Sequence, residues 1–416
     1  MSEKLSFSRN TDTKEKIISA AFALYSESFS KASLSNIAKR TGISKTAIYR
    51  HFKDKESLEN EMFRIVYDSF FNVFKIYEKY MAEGQAEKAF SLIIEFVDKK
   101  TEYVTFYLLM NSETCQDNLI IEMKKRGSRS FDSLLNNDGS INKLDFYITN
   151  IFSLATIISF VSTKKKENSC TLSDQEFYQR VSVFILNGLG NTSPSISSIR
   201  FTELENITRN AVSGLEAPDR IIVALNSAIK KYGSKNVTIE QIASELGMAK
   251  SSLYTWFSNK NEMFQKLIFK ELDTLLYTVI ENQAFAVTKE ERLFLILSST
   301  LEYLNARPQL INVFQWLQLT ENFGQSICRE ENFNLDQVTE DFFRKNPLFE
   351  KIPDLGFKSK NGQTITNWIF VIPVFTLAHG KKHNLSVDLI RASIRELFFM
   401  IEEGIKIKIN LNGGIK

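Results

Sequence analysis

The sequence predicts an all-α chain made of two tandem helical units, and three observations carry that reading. Only six prolines and sixteen glycines interrupt 416 residues, so the strongest helix breakers are scarce. Long stretches rich in Leu, Ile, Lys, Glu and Phe place apolar residues three to four apart, the period of an amphipathic helix. The chain also repeats itself: residues 34–62 read LSNIAKRTGISKTAIYRHFKDKESLENEM and residues 239–267 read IEQIASELGMAKSSLYTWFSNKNEMFQKL. At a constant offset, Ile37, Ala38, Gly42, Lys45, Tyr49, Phe52 and Lys55 match Ile242, Ala243, Gly247, Lys250, Tyr254, Phe257 and Lys260.

Composition narrows the classes further. With 43% hydrophobic and 24% charged residues, neither a disordered chain nor a membrane protein is the default. Cys115, Cys170 and Cys328 lie far apart without metal-ligand spacing, which excludes a disulfide framework or zinc module and fits a reducing compartment. Met1 to Asn10 is polar, unlike a signal peptide, so a cytoplasmic location is expected. The net charge is only +3, yet residues 1–60 hold eleven Lys or Arg against seven Asp or Glu. That local positive balance is what phosphate contact requires.

Taken in order, Thr13 to Tyr25 presents apolar residues at 17, 18, 21, 22, 24 and 25, a helix-compatible face. Ser33 or Ser35 can cap a short helix running through Arg40. Gly42 stands where a tight turn between helices needs a residue tolerant of positive φ. Ser44 then caps a helix from Lys45 to His51, in which Ile48 and Phe52 fall four apart and anchor inward. Lys45, Thr46, Tyr49 and Arg50 are left on the outer face, available to a DNA groove.

The second unit repeats the order with Ile222, Ala224 and Ile229 in its lead helix and a stop at Tyr232-Gly233. Ala249 stands where the first unit has its Ser cap, an exchange that costs a helix roughly 1 kcal/mol, and Trp256 stands where the first has His51. Between the units, Gly190 to Ser195 has linker composition. A short helix over Phe201 to Val212 and a second break at Gly214 to Pro218 follow.

This pattern resembles the TetR family. The resemblance rests on Ile18, Ala20, Ala21 and Tyr25, then Ser35-x-Ile37-Ala38, Gly42-Ile43-Ser44-Lys45, Ile48-Tyr49-x-x-Phe52 and Lys55-Glu56-x-Leu58. It implies two units, each a three-helix helix-turn-helix domain followed by a helical ligand-binding and dimerisation domain. The expected boundaries are 1–60 and 61–190 for the first unit, 191–217 for the linker, and 218–265 and 266–416 for the second. By that resemblance Lys45, Thr46, Tyr49, Arg50 and His51 are recognition-helix contacts, and Ser33, Ser35 and Lys55 meet phosphate. Thr238, Lys250, Ser251, Ser252, Tyr254, Thr255 and Lys260 are the matching positions. The expected partner is a double-stranded DNA operator, asymmetric because the recognition helices read SKTAIYRH and AKSSLYTW.

No catalytic constellation is present, so the chain is not read as an enzyme, and no cofactor is expected. His379 and His383 are four apart, but Gly380 and nearby lysines favour a helix end over a metal site. The apolar stretch Phe146 to Val161 is broken by Thr149, Asn150, Ser153, Thr156 and Ser159, and is shorter than the roughly 20 residues a membrane span needs. With Trp368 to Ala378 as its counterpart, it reads instead as one of a pair buried between the halves. With Tyr178 to Leu189 and Leu389 to Ile401 as final helices, the two halves are expected to form an intramolecular four-helix interface, a pseudo-dimer. A dimer of chains with four reading heads remains the competing arrangement. A small apolar ligand is the second expected partner: Tyr103, Phe106, Tyr107 and Met110, with Phe314 and Trp316 in the second half, line a pocket or form plain core.

Overall fold

The computed structural model describes residues 2–27, 31–110, 115–129, 143–167, 170–190, 196–233, 237–256, 260–313, 354–357 and 361–405. Among these residues there is no strand. The first head consists of α1 (Ser2–Glu27), α2 (Leu34–Thr41) and α3 (Lys45–Tyr49). Its body follows as α4 (Lys55–Ala82), α5 (Ala86–Lys99), α6 (Thr101–Met110), α7 (Cys115–Lys125), α8 (Lys143–Glu167) and α9 (Asp174–Asn187). A connecting helix, α10 (Ser198–Ala211), leads to the second head of α11 (Arg220–Tyr232), α12 (Ile239–Glu245) and α13 (Lys250–Trp256). The second body holds α14 (Lys260–Asn282), α15 (Lys289–Ala306), α16 (Asn361–Lys382) and α17 (Val387–Glu403).

Helix starts follow side-chain chemistry. Ser33, Ser44, Thr238 and Ser386 each accept a backbone amide three residues on, and Asp54 and Ser173 form reciprocal capping boxes with Ser57 and Glu176. The first head has its own core, built on Ile17, Phe22, Ile37, Ile48 and Phe52, which extends through Met62 to Phe106 and Tyr107. The second head instead shares one continuous core with both bodies.

The segment joining the units is a structural member in its own right. α10 lays Phe201 and Leu204 into the core, with the Phe201 ring 4.8 Å from Phe294 and 5.6 Å from Phe398. Arg200 grips Glu291 through two nitrogens at 2.9–3.0 Å, Arg395 of α17 grips Glu205 of α10, and Thr208 bonds Ser298 at 2.8 Å. α15 is thereby covered on every side: Leu293 to Leu304 is buried without a break. Its buried polar groups are matched, Glu302 by a two-pronged contact from Arg391 and Ser299 by Asn282. Buried polar groups of this kind cost free energy unless so paired.

The two bodies meet through α8, α9, α16 and α17. Trp368 is fully buried there, its ring centroid 5.2–6.0 Å from those of Phe184, Phe160 and Phe152. Its indole nitrogen donates to the Thr156 hydroxyl at 2.9 Å. At the ends of α9 and α17 the backbones exchange hydrogen bonds: Leu189 N–H donates to the Ile401 carbonyl at 2.8 Å, and Ile405 N–H to the Ile185 carbonyl at 3.1 Å. These four residues pair at an offset of 216, so the two bonds are equivalents about a local two-fold. Gly188 and Gly404 sit at the crossing, where a Cβ on either would run into the other helix end's backbone. The segment 354–357 adds to the join, with Thr171 N–H donating to the Gly356 carbonyl at 2.7 Å and Phe357 packing on Phe177.

Candidate nucleic-acid interface

Each head holds a short helix outward by the same local devices. Gly42 and Gly247 take φ of 70° and 68°, the left-handed conformation that only glycine adopts cheaply. The chain then reverses with Ile43 N–H bonded to the Ala38 carbonyl and Met248 N–H to the Ala243 carbonyl. Inward, Ile48 and Leu253 are buried and fix the rotation of α3 and α13. Outward, Tyr49 and Tyr254 remain 47% and 43% exposed. A ring left that far in water in both heads is not serving as core, and it is available for contact.

The first head brings Lys45, Thr46, Tyr49 and Arg50 onto one exposed face, with Ser35 exposed in the first turn of α2. His51 is half-buried at the rim. Ser33 spends its hydroxyl on the Asn36 amide at 3.1 Å, so it supplies the cap for which Ser35 was the other candidate. Lys55 lies over the Tyr25 ring, 5.5 Å from its centroid, and 3.4 Å from Glu59. Tyr25 is buried with its hydroxyl bonded to Glu59, and burial followed by that carboxylate pushes its ionisation far up. Lys14 bridges α1 to Glu61 of α4 at 2.9 Å. Arg64 and Lys14 together hold the Glu61 carboxyl down at about 2.

In the second head Thr238 is the cap, closed by Gln241 in a capping box, and Lys250, Ser251, Tyr254 and Thr255 are exposed while Ser252 is half-buried. Ala249 leaves α13 without a side-chain cap, its carbonyl accepting the Ser252 amide at 3.0 Å. Lys260 opens α14, but its side chain lies outside the described residues, as do Phe314 and Trp316.

Three ion pairs distinguish the heads, and none is apparent from helical spacing. Lys250 pairs with Glu240, whose carboxyl is held below its usual range by that hydrogen bond. The joint between lead helix and second helix is reversed in sign: Arg40 pairs with Glu27 in the first head, whereas Glu245 pairs with Lys231 at 3.1 Å in the second.

The sequence model described as "Bacterial regulatory proteins, tetR family" matches residues 17–62 and 221–267. The chain carries two TetR-family units in tandem. Both matches span a lead helix, the turn and the exposed short helix, so this TetR-family chain is a transcription regulator whose heads are of the DNA-binding helix-turn-helix type. No curated protein is similar enough to the chain to count as a match.

The aromatic residues singled out in the first body occupy a seam between head and body. Tyr103 lies 4.5 Å from Phe22, and Phe106 contacts Phe22, Tyr25 and Phe63 at centroid distances of 4.9–5.4 Å. Tyr107 meets Phe70 at 5.4 Å, and Met110 packs against the same core. Among the described residues no group of three or more His, Cys, Asp or Glu is arranged to hold a metal ion, and no helix is long and apolar enough to cross a membrane.

Proposed function

We propose that the chain is a ligand-responsive repressor that binds an asymmetric operator with both heads of one polypeptide, as a single-chain pseudo-dimer in the cytoplasm. The observation that carries this reading is the reciprocal pair of backbone hydrogen bonds between the ends of α9 and α17, which relates the two bodies as subunits of a symmetric dimer are related. Each body then presents one outward recognition helix. Lys45, Thr46, Tyr49, Arg50 and His51 contact one half-site, while Lys250, Ser251, Ser252, Tyr254 and Thr255 contact the other. Ser33, Ser35, Lys55, Thr238 and Lys260 approach the flanking phosphates.

Ligand response rests on the seam of Tyr103, Phe106, Tyr107 and Met110 on α6. These side chains touch the lead helix of the head on one side and body helix α4 on the other. A small apolar molecule inserting beside them displaces α6 and with it the head, shifting the population away from the DNA-competent spacing. The second half's Phe314 and Trp316 are assigned the matching role. The expected domain limits are 1–60, 61–190, 191–217, 218–265 and 266–416.

The test is selection of bound sequences from a random DNA pool, followed by affinities for wild type, Tyr49→Ala and Tyr254→Ala. An asymmetric two-part site weakened by both substitutions is the expected result. A site weakened by Tyr49→Ala alone supports the second reading, a regulator whose second head no longer binds, which the Glu240–Lys250 pair favours. Failure to enrich any sequence overturns both.

A further inference from the structure

We propose that the two heads divide the work unequally: the first anchors the chain on phosphate, and the second is a weak reader that engages DNA because the fusion holds it there. The inference rests on the reading that both heads contact DNA, and it deepens that reading.

The matched windows 31–55 and 236–260 differ sharply in charge. The first holds seven Lys or Arg against one Asp, and the second two Lys against two Glu. The exchanges fall where phosphates approach a helix-turn-helix. Ser35, exposed in the first turn of α2, becomes Glu240. Arg40 becomes Glu245, an exchange offset within each head by the opposite charge on the lead helix, Glu27 or Lys231, while Arg50 on the outer face becomes Thr255 with no such offset. Among the described residues Lys45 has no carboxylate partner, whereas the equivalent Lys250 is paired with Glu240. Both members of that pair are exposed, at 47% and 58%. It therefore adds little to stability, and its consequence lies in what the surface offers an approaching polyanion.

Counterion release scales with the number of phosphates neutralised. A reading window with no net charge gains little from it and relies mainly on its groove contacts. Tethering compensates: once the first head is bound, the second samples DNA at an effective concentration on the order of millimolar, enough to populate a contact too weak to form alone. The packed, hydrogen-bonded join through α9, α17 and α10 limits the ordering cost of that second contact. Glu240 sits in the first turn of α12, where an acid also complements the helix dipole, so its replacement tests DNA affinity against a small loss of helix stability.

The experiment uses the full chain and the selected operator. Each half is scrambled separately, and the halves are assigned to heads by the insensitivity of Tyr49→Ala or Tyr254→Ala to each scramble. Scrambling the first head's half-site is expected to cost a hundredfold or more, and scrambling the second's about tenfold, in keeping with a millimolar tether. Glu240→Gln, which removes charge and keeps shape, is expected to tighten full-site binding several-fold and steepen the dependence of log K on log salt concentration. Equal losses from the two scrambles, or a Glu240→Gln chain that binds no tighter, overturn the inference while leaving two-headed binding intact. Absence of any selected operator overturns the two-headed reading and this inference with it.

Discussion

Single residues decide most of what the heads offer, and they were legible to different degrees. Tyr49 and Tyr254 stand out in the sequence because the inward partners Ile48 and Leu253 fix which face is left over, and both are exposed. The choice between Ser33 and Ser35 as cap was not legible, since either hydroxyl can reach an amide three residues on. The Glu240–Lys250 pair was equally hidden: it spans two helices and a turn, a separation that no helical spacing rule addresses. His379 carries the prediction at this scale. It lies on α16 beside Phe375, and burial, with Lys382 and His383 nearby, lowers its pKa to about 4. The folded value lies below the unfolded one, so this group's contribution is fully present above the unfolded pKa of about 6.5 and is lost as pH falls toward about 4. Denaturant titration at pH 7.5 and pH 5 should show wild type losing about 2 kcal/mol more than His379→Gln. An equal loss in both chains would show that His379 is solvated.

Elements were legible wherever caps and periodicity agreed. Helices α2 and α3 lie where Ser33 and Ser44 start them, while the caps of α11 and α12, Asp219 and Thr238, are seen only in the structure. The role of α10 was not legible, because its flanks have turn composition and its apolar residues are few; its inward face acquires a partner only when α15 and α17 are packed beside it. The burial of α15 was not legible for a related reason: Glu291, Ser298, Ser299 and Glu302 are polar, yet all are buried against partners from other helices. The prediction here concerns α13. Its N-cap position is Ala249, exposed and without a side-chain acceptor, whereas Ser44 bonds the Ala47 amide at 3.1 Å. Ala249→Ser should stabilise the second head by about 0.5–1 kcal/mol. Amide hydrogen exchange is the suitable measurement, since slower exchange confined to the first turn of α13 is expected. Unchanged exchange there would mean that α13 does not start at Lys250.

At the scale of the whole molecule, the packing of α8 on α16 was legible from two apolar stretches in equivalent positions, which need a common partner. The crossing at Gly188 and Gly404 was not, because only the folded backbone shows how near two glycines come. A Cβ built on Gly188 meets Gly404 N and the Ile401 carbonyl oxygen at 2.5 Å, and these are backbone atoms that cannot swing aside. Gly188→Ala must therefore push α9 and α17 apart and break the reciprocal hydrogen bonds between them. Both glycines also have positive φ, so a loss of stability alone would not prove close approach. Gly190 separates the two effects: it has φ of 75° in open space, and Gly190→Ala should cost only the conformational penalty of about 1–2 kcal/mol. Gly188→Ala should cost a further 1–3 kcal/mol or so through overpacking, read as the difference in unfolding free energy between the two variants. Because the contact is intramolecular, that difference should not change with protein concentration. If the two variants are equally stable, the halves do not meet at this crossing. If the gap grows with dilution, the contact joins separate chains, and the arrangement with four reading heads replaces the single-chain pair.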